Sequence, residues 1–391
     1  NVRTKVVIVG GGPSGLLLSQ LLHLAGVDSI VLERKTRAYV LSRIRAGVLE
    51  QGTCDLMRAA KAGARMDREG QLHTGFVMTF DGRASRIDLE GLTGGKTVLV
   101  YGQTELTRDL YEARDQLNGT ILHEVDDVVP HNLTSEAPFV TFVHNGETQR
   151  IDCDFVAGCD GFHGISRSVL PDIVRKEYEK ILPFSWVGVL SKTRPAGEEI
   201  IYSRSQAGFA LCSMRSETLS RYYIQCPATD TLDEWSDDRF WSELSARLPA
   251  SIADQLETGP SLRKNMTPLR AFISEPMRHG RLFLAGDSAH IVAPTGAKGL
   301  NLAASDIFYL TNALIEFYKS GSEAGLEGYS AKALSRVWKA SRFSWFMTKL
   351  MHNFEGPASF DDRMQDAQLD YMSRSKAQQT AIAENYVGLP F

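Results

Sequence analysis

Residues 10–15 read Gly-Gly-Gly-Pro-Ser-Gly and set a G-x-G-x-x-G spacing between an apolar run, Lys5 to Val9, and a leucine-rich stretch, Ser14 to Ala25. The run reads as a short buried strand, the leucines recur at helical spacing, and the glycines join them as a βα turn. In such a turn Gly10 permits the tight bend, Gly12 lets the backbone approach a pyrophosphate, and Gly15 allows close packing of helix on strand. From Ser14 onward a helix N-terminus offers free N–H groups to the phosphates. A second strand, Ser29 to Leu32, ends at Glu33. That acid follows Gly10 at close to the separation of about 20 residues at which a carboxylate accepts ribose hydroxyls. Glycines alone often mark only a turn, but with strand, helix and acid in register they mark a dinucleotide site. The pattern does not distinguish NAD from FAD.

The chain has 391 residues, enough for about two domains around a large core. Its net charge of −4 provides no basic field for nucleic acid or an anionic membrane. The early apolar stretch, Val6 to Val27, is broken by glycines, Pro13, Ser14, Ser19, Gln20 and His23, so it reads as neither signal peptide nor membrane span. A cytoplasmic protein is expected. Cys54, Cys153, Cys159, Cys212 and Cys226 form no C-x-x-C pair and no zinc-like set, which points to reduced thiols and no metal.

Two later segments repeat the strand-to-turn design. Arg281 to Asp287 is an apolar strand ending in Gly286-Asp287, followed by the glycine-rich Ala293 to Asn301 and a helical pattern from Leu302; Phe155 to Arg167 carries Asp160-Gly161 with the cations His163 and Arg167. In this order, after the first turn and Glu33, they resemble the class A flavoprotein aromatic monooxygenases. The resemblance runs from Val6 to the terminal Glu384 to Pro390, through Ser42 to Gln51, Tyr101 to Thr104 and Pro294 to Gly296. It implies an enzyme that holds FAD, uses NADPH transiently, and hydroxylates 4-hydroxybenzoate with O2 to 3,4-dihydroxybenzoate through a flavin C4a-hydroperoxide. By the same resemblance Gly10, Gly12, Ser14, Gly15 and Glu33 hold the adenosine and phosphate end of FAD. Arg43, Arg45 and Gln103 meet its pyrophosphate and ribityl regions, Asp160 lies beside the cofactor, and Asp287 holds the ribityl chain. Gly299, Leu300 and Asn301 place helix N–H groups near the flavin pyrimidine ring, where negative charge develops on reduction.

The alternation in Gly208 to Arg215 puts Leu211, Ser213 and Arg215 on one face, and Arg221 to Cys226 reads as the partner strand after a turn at Ser216 to Ser220. Ser213, Arg215 and Arg221 then converge, and two guanidiniums with a hydroxyl suit one carboxylate. The plainer alternative is a solvated face with ordinary ion pairs; the resemblance favours the substrate carboxylate. It further implies that Tyr202, taken as the end of a strand from Glu199, and Tyr386 draw the phenol proton, with His73 at the solvent end. The Pro294 carbonyl would face the phenol oxygen, next to Thr295. A lone Tyr or His is more often a packing residue, so the motif match carries these roles.

No second G-x-G-x-x-G follows Gly15, so the reductant must dock on an existing surface. The resemblance points to Arg34, Tyr39, Arg43, His163 and Arg270, and Lys35 and Arg37 complete with Arg34 a run of three cations within four residues that would read a 2′-phosphate. Two departures are Lys35, where well-known members carry Gln, and Ala293, where they carry a second Pro. A disulfide reductase is disfavoured by the missing C-x-x-C, and a flavin halogenase by the missing G-W-x-W-x-I-P; a flavin oxidase and a non-catalytic sensor remain as rivals. The expected fold is α/β: a Rossmann-like FAD-binding domain (1–176 and the start of 279–391), an inserted, mainly antiparallel substrate sheet (177–278) and a helical C-terminal region. The resemblance implies a homodimer, for which Trp338, Phe343, Trp345 and Phe346 are contact candidates if they are not core.

Overall fold

The computed structural model describes all residues except Asn1, Ile44 and Ala46. Val6–Val9 is buried along its whole length and lies parallel to Ser29–Leu32 on one side and Phe155–Gly158 on the other. Leu282–Leu284 and Thr120–Leu122 continue the parallel sheet outward, and Arg278–His279 closes one edge antiparallel. Strands covered on both faces read as bare apolar runs, which is why Val6–Val9, Phe155–Gly158 and Leu282–Leu284 show no alternation. Pro13 opens helix Pro13–Leu24 at a position where its missing N–H costs nothing. That helix packs against Gln103–Gln116 and Gly299–Ser320.

Register does the functional work here. Val9 stands opposite Leu32 and Gly158, and Gly158 opposite Leu284. The residues that follow, Gly10, Glu33, Asp160 and the Gly286-Asp287 turn, therefore emerge along one edge, at the carboxyl ends of parallel strands where α/β sheets bind ligands.

An eight-stranded sheet runs in the order His290–Ile291, Ser261–Glu275, Lys176–Ser191, Leu219–Pro227, Gly208–Ser216, Ile201–Ser205, Gly75–Phe80, Arg83–Asp88. It thus takes strands from both sides of 177–278, because Ile201–Ser205 pairs in parallel with Gly75–Phe80. The hairpin strands are longer than the sequence suggested and leave only Glu217 and Thr218 in the turn. Tyr202 stands near the start of its strand rather than at the end of one. One face of the sheet buries Val187, Val189, Ile201, Ala210, Tyr222 and Ile224 beneath helix Asp237–Ala246. The other carries Phe76, Met78, Trp186, Tyr202, Phe209 and Tyr223 against helices Ala324–Met351, Phe360–Arg374 and Lys376–Val387. A three-stranded sheet (Val48–Glu50, Val98–Val100, Gln71–His73) and a four-stranded one, made of Val2–Arg3 and three strands within residues 126–152, complete the fold.

Phe343 is buried, Trp345 and Phe346 pack against the same core, and Trp338 is 40% exposed with its indole N–H on Glu275. Among the described residues no helix is long and apolar enough to cross a membrane, and no cluster of His, Cys, Asp or Glu is arranged to hold a metal. All five cysteines are buried and unpaired.

Candidate active site

Two of the three glycines of the first turn are required by contact. A Cβ on Gly10, whose φ is +109°, would lie 2.1 Å from the Cys159 carbonyl oxygen, and one on Gly15 would lie 1.9 Å from that of Gly10. At Gly12 a Cβ would meet nothing within 4 Å, so this backbone borders open space, as a pyrophosphate requires. Glu33 accepts the Gly11 N–H at 2.7 Å and the Lys35 N–H at 2.8 Å, one on each oxygen, and keeps lone pairs for ribose hydroxyls. Ser14 Oγ approaches Gly286 so closely that a Cβ there would sit 2.8 Å away, which brings the two turns together. Across the cleft Arg45 lies 3.6 Å from Asp287. Gly299, Leu300 and Asn301 form the first turn of helix Gly299–Ser320, whose N–H groups have no partners within the helix. Gln103 opens its own helix, and the Arg43 carbonyl accepts the Thr104 hydroxyl. Open space at the Gly12 backbone, an acid for ribose and a free helix N-terminus fit FAD.

Two candidates turn inward. Asn301 spends its side chain on protein, accepting from the Glu50 N–H and the Thr53 hydroxyl and donating to the Val48 and Ala297 carbonyls, which leaves its backbone N–H for a ligand. Asp160 accepts from the Ile165 and Ser166 N–H groups with one oxygen, and burial raises its carboxyl above the usual range. It braces its own turn.

On the inner face of the large sheet, Tyr202 registers with Leu211, and Ser213 with Arg221. The Tyr202 and Tyr386 hydroxyls lie 3.0 Å apart, both residues are 2% exposed, and burial raises both phenols above their ordinary range. Phe76 packs on Tyr386 at 4.3 Å and Tyr202 at 5.4 Å. Arg221 is 2% exposed; its Nη2 donates to Asn265 at 2.9 Å and its Nε is buried without a partner. Desolvation pushes the Arg215 guanidinium below its usual range, and Arg221 adds to that push. Neither arginine forms an ion pair among the described residues. His73 is buried with both ring nitrogens unpartnered; burial lowers its pKa while Glu199 opposes the shift. No direct hydrogen bond joins it to the tyrosine pair. Pro294 is exposed at the head of the turn Pro294–Gly296, whereas the Thr295 hydroxyl points inward to Thr348 at 2.8 Å.

Residues 3–344 match the family described as FAD binding domain. Over 390 residues, 100% of this chain and 96% of the relative, the sequence is 54% identical to p-hydroxybenzoate hydroxylase of Acinetobacter baylyi. The chain belongs to the class A flavoprotein monooxygenases. FAD is its cofactor. It is also 26% identical to 6-hydroxy-3-succinoylpyridine 3-monooxygenase of Pseudomonas putida, over 94% of this chain and 97% of that one. The crystal structure of p-nitrophenol 4-monooxygenase from Pseudomonas putida DLL-E4 shares the fold, with a TM-score of 0.82 at 19% identity and full coverage of both chains.

The remaining candidates of this monooxygenase lie in two groups. Arg34, Lys35, Tyr39 and Arg43 are exposed on the segment after Glu33, with Lys35 over the Tyr39 ring. Arg37 is engaged by Asp115 at 2.8 Å. His163 and Arg270 gather instead about the Phe162 ring, joined by Arg167.

Sequence reasoning missed two buried assemblies in the monooxygenase. Asp306 accepts the Gly286 N–H at 2.9 Å and His290 at 2.6 Å, tying the Asp287 turn to the helix that begins at Gly299. Glu50 lies between Lys298 (2.9 Å) and Arg336 (2.6 Å), which also bond the Tyr386 and Leu389 carbonyls and so fix the segment carrying Tyr386. Both depend on partners far apart in sequence.

Proposed function

We propose that the chain catalyses 4-hydroxybenzoate + NADPH + O2 + H⁺ → 3,4-dihydroxybenzoate + NADP⁺ + H2O. One observation carries this reading: a single sheet face carries two arginines that form no ion pair among the described residues at one end and Tyr202 at the other, where Tyr386 of helix Lys376–Val387 meets it in a buried hydrogen bond. Tyr202 and the Ser213 and Arg221 pair stand two residues apart along the strand direction, about 7 Å. That spacing suits a ring with a carboxylate and a hydroxyl at opposite ends.

Arg221 and Arg215 bind the carboxylate, with Ser213 beside them. Tyr202 takes the phenol proton in a shared hydrogen bond and passes it to Tyr386, which makes the ortho carbon more nucleophilic. Because burial raises both tyrosines, they exchange protons without holding charge. His73 is the candidate for the next proton acceptor: burial keeps its imidazole neutral and both ring nitrogens are unpartnered, although they are closed off from solvent here, so the relay needs a bridging water or a movement to reach it. The Pro294 carbonyl faces the substrate hydroxyl. FAD, when bound, accepts reducing equivalents from the nicotinamide and activates O2. The buried Phe76, Tyr202 and Tyr386 side chains keep water from the phenol end of the site. The enzyme works as a homodimer in this reading, in a cytoplasmic setting that accords with five unpaired cysteines.

Product identification by chromatography after incubation with 4-hydroxybenzoate, NADPH and oxygen tests the proposal; NADPH consumption without 3,4-dihydroxybenzoate would refute it. Tyr386→Phe should slow hydroxylation by on the order of 10²-fold while flavin reduction stays within a few-fold, as expected for a group acting only in proton transfer. Rapid-mixing kinetics of the two half-reactions separate these, and equal losses in both would remove Tyr386 from the relay.

NADPH in preference to NADH follows from the exposed cations after Glu33. Each close contact to the 2′-phosphate at a partly exposed site contributes about 1 kcal/mol at most. Since Asp115 already meets Arg37, Lys35 carries more of the effect. Replacing Lys35 with Glu and Arg37 with Thr should raise the NADPH KM several-fold and barely alter that for NADH. An unchanged ratio of the two would place phosphate recognition elsewhere.

A further inference from the structure

The turn Pro294–Gly296 bears the carbonyl that faces the substrate hydroxyl in the proposed reaction, and helix Ala324–Met351 holds it in place. Pro294 is exposed, whereas Ala293, Thr295 and Gly296 around it are buried. The Thr295 hydroxyl lies 2.8 Å from that of Thr348, and neither residue has any exposed surface. Thr348 gives its own proton to the Ser344 carbonyl at 2.7 Å, so the bond between the two hydroxyls has one direction: Thr295 donates and Thr348 accepts. Gly296 lies close against the same helix, for a Cβ there would be 2.5 Å from Ser344 Oγ.

The Pro294 carbonyl shares its peptide plane with the Thr295 nitrogen. The tilt of that plane follows from ψ of Pro294 and φ of Thr295, and the pyrrolidine ring fixes neither. The Ala297 N–H takes one lone pair of the Pro294 oxygen at 3.0 Å, which leaves the other for a ligand. What ties the plane to the body of the protein is the Thr295 side chain. We infer that Thr348 is a positioning residue for the reaction: as acceptor for Thr295 it sets the tilt of the Pro294–Thr295 peptide and keeps the carbonyl oxygen against the substrate hydroxyl. This rests on the proposed function of the site.

A carbonyl oxygen in that place accepts from a phenol and repels a phenolate, so it raises the pH at which the bound ligand ionises. A turn released from the helix lowers it again. The test is a base titration of the FAD-loaded parent, Thr348→Val and Thr348→Ser, each saturated with 4-hydroxybenzoate, with phenolate read by its difference absorbance. Valine keeps the shape of threonine and cannot accept, while serine keeps the hydroxyl. In Thr348→Val the midpoint should fall by about 0.5–1 pH unit, the size of one neutral hydrogen bond, and in Thr348→Ser it should stay within about 0.2 unit of the parent. Tyr202, Tyr386, His73, Lys298, Glu50 and Arg336, the titratable and charged groups around this end, are the same in all three and cancel in the comparison. Should the valine variant fail to fold, Thr295→Val combined with Thr348→Val replaces both partners by apolar groups of the same shape and leaves no hydroxyl unpaired, and the same shift is expected. A midpoint unmoved by valine, or moved equally by serine, overturns the assignment of Thr348 and leaves the proposed function standing. A parent that binds no 4-hydroxybenzoate overturns the proposed function and this inference with it.

Discussion

Truncating Arg221 to methionine should weaken 4-hydroxybenzoate binding by about 30-fold to several thousand-fold, the range of about 2–5 kcal/mol seen when one partner of a buried charge pair is removed. The side chain is 2% exposed, and its only described polar contact is the Asn265 amide. A structural arginine would take stability with it when lost. Here the opposite is expected: the substrate-free protein carries a desolvated cation without a counter-ion, and methionine fills the volume without that penalty, so the melting temperature should hold or rise. What should disappear is the increase in melting temperature that saturating 4-hydroxybenzoate gives the parent, because that increase measures ligand affinity directly. FAD content should not change, since Arg221 lies on the large sheet and not among the cradle residues. Retention of parental affinity, or a large loss of stability without ligand, would assign Arg221 to the fold and place the carboxylate elsewhere.

The parts legible in the sequence are those whose chemistry is local. The first turn, Glu33, Asp160 and Asp287 each follow a short apolar run directly, and parallel pairing then gathers the ends of those runs on one edge. Alternation likewise identifies the face shared by Ser213 and Arg221, since a period of two follows from the pleat. A period tells which face a residue lies on but not which strand lies beside it. The pairing of Ile201–Ser205 with Gly75–Phe80 was therefore hidden, as was Asn265, which reaches Arg221 only because Gly188 stands between them. Asn301 and Thr295 show the converse limit. Each lies within a recognisable motif, yet its side chain meets protein partners that no motif specifies, Glu50 and Thr53 for one and Thr348 for the other. Glu50 and Asp306 were invisible for a related reason: a single acid in an unremarkable run acquires importance only when cations or backbone from distant segments close around it.

Acid should destabilise the protein through His352, a residue outside the reaction. It follows helix Ala324–Met351, is fully buried, stacks on Phe184 at 4.6 Å and meets the tilted ring of Phe209 at 4.5 Å. Its Nδ1 faces the Thr348 carbonyl at 2.9 Å and so must carry the proton, while Nε2 accepts the Trp186 indole N–H at 2.8 Å. Protonating Nε2 would break that second bond and place a cation among aromatic rings; burial lowers the pKa from 6.5 to about 3. Above pH 6.5 the imidazole is neutral in folded and unfolded chains alike, and its contribution to stability is complete. Below that, the unfolded chain gains a proton that the folded chain refuses, and stability falls by about 1.4 kcal/mol per pH unit until the folded pKa is reached. Acidic side chains add their own pH dependence, so the measurement is a difference. His352→Gln can still offer an acceptor to Trp186 and a donor to Thr348 but has nothing to titrate. At neutral pH the variant should be less stable than the parent because it loses ring stacking, and between pH 6.5 and pH 5 that gap should narrow by about 2 kcal/mol. Urea unfolding of both holoproteins at the two pH values supplies the comparison; a gap that stays constant would mean that His352 is protonated in the folded state as readily as in the unfolded chain, and the hydrogen bond from Trp186 would then have to be reassigned.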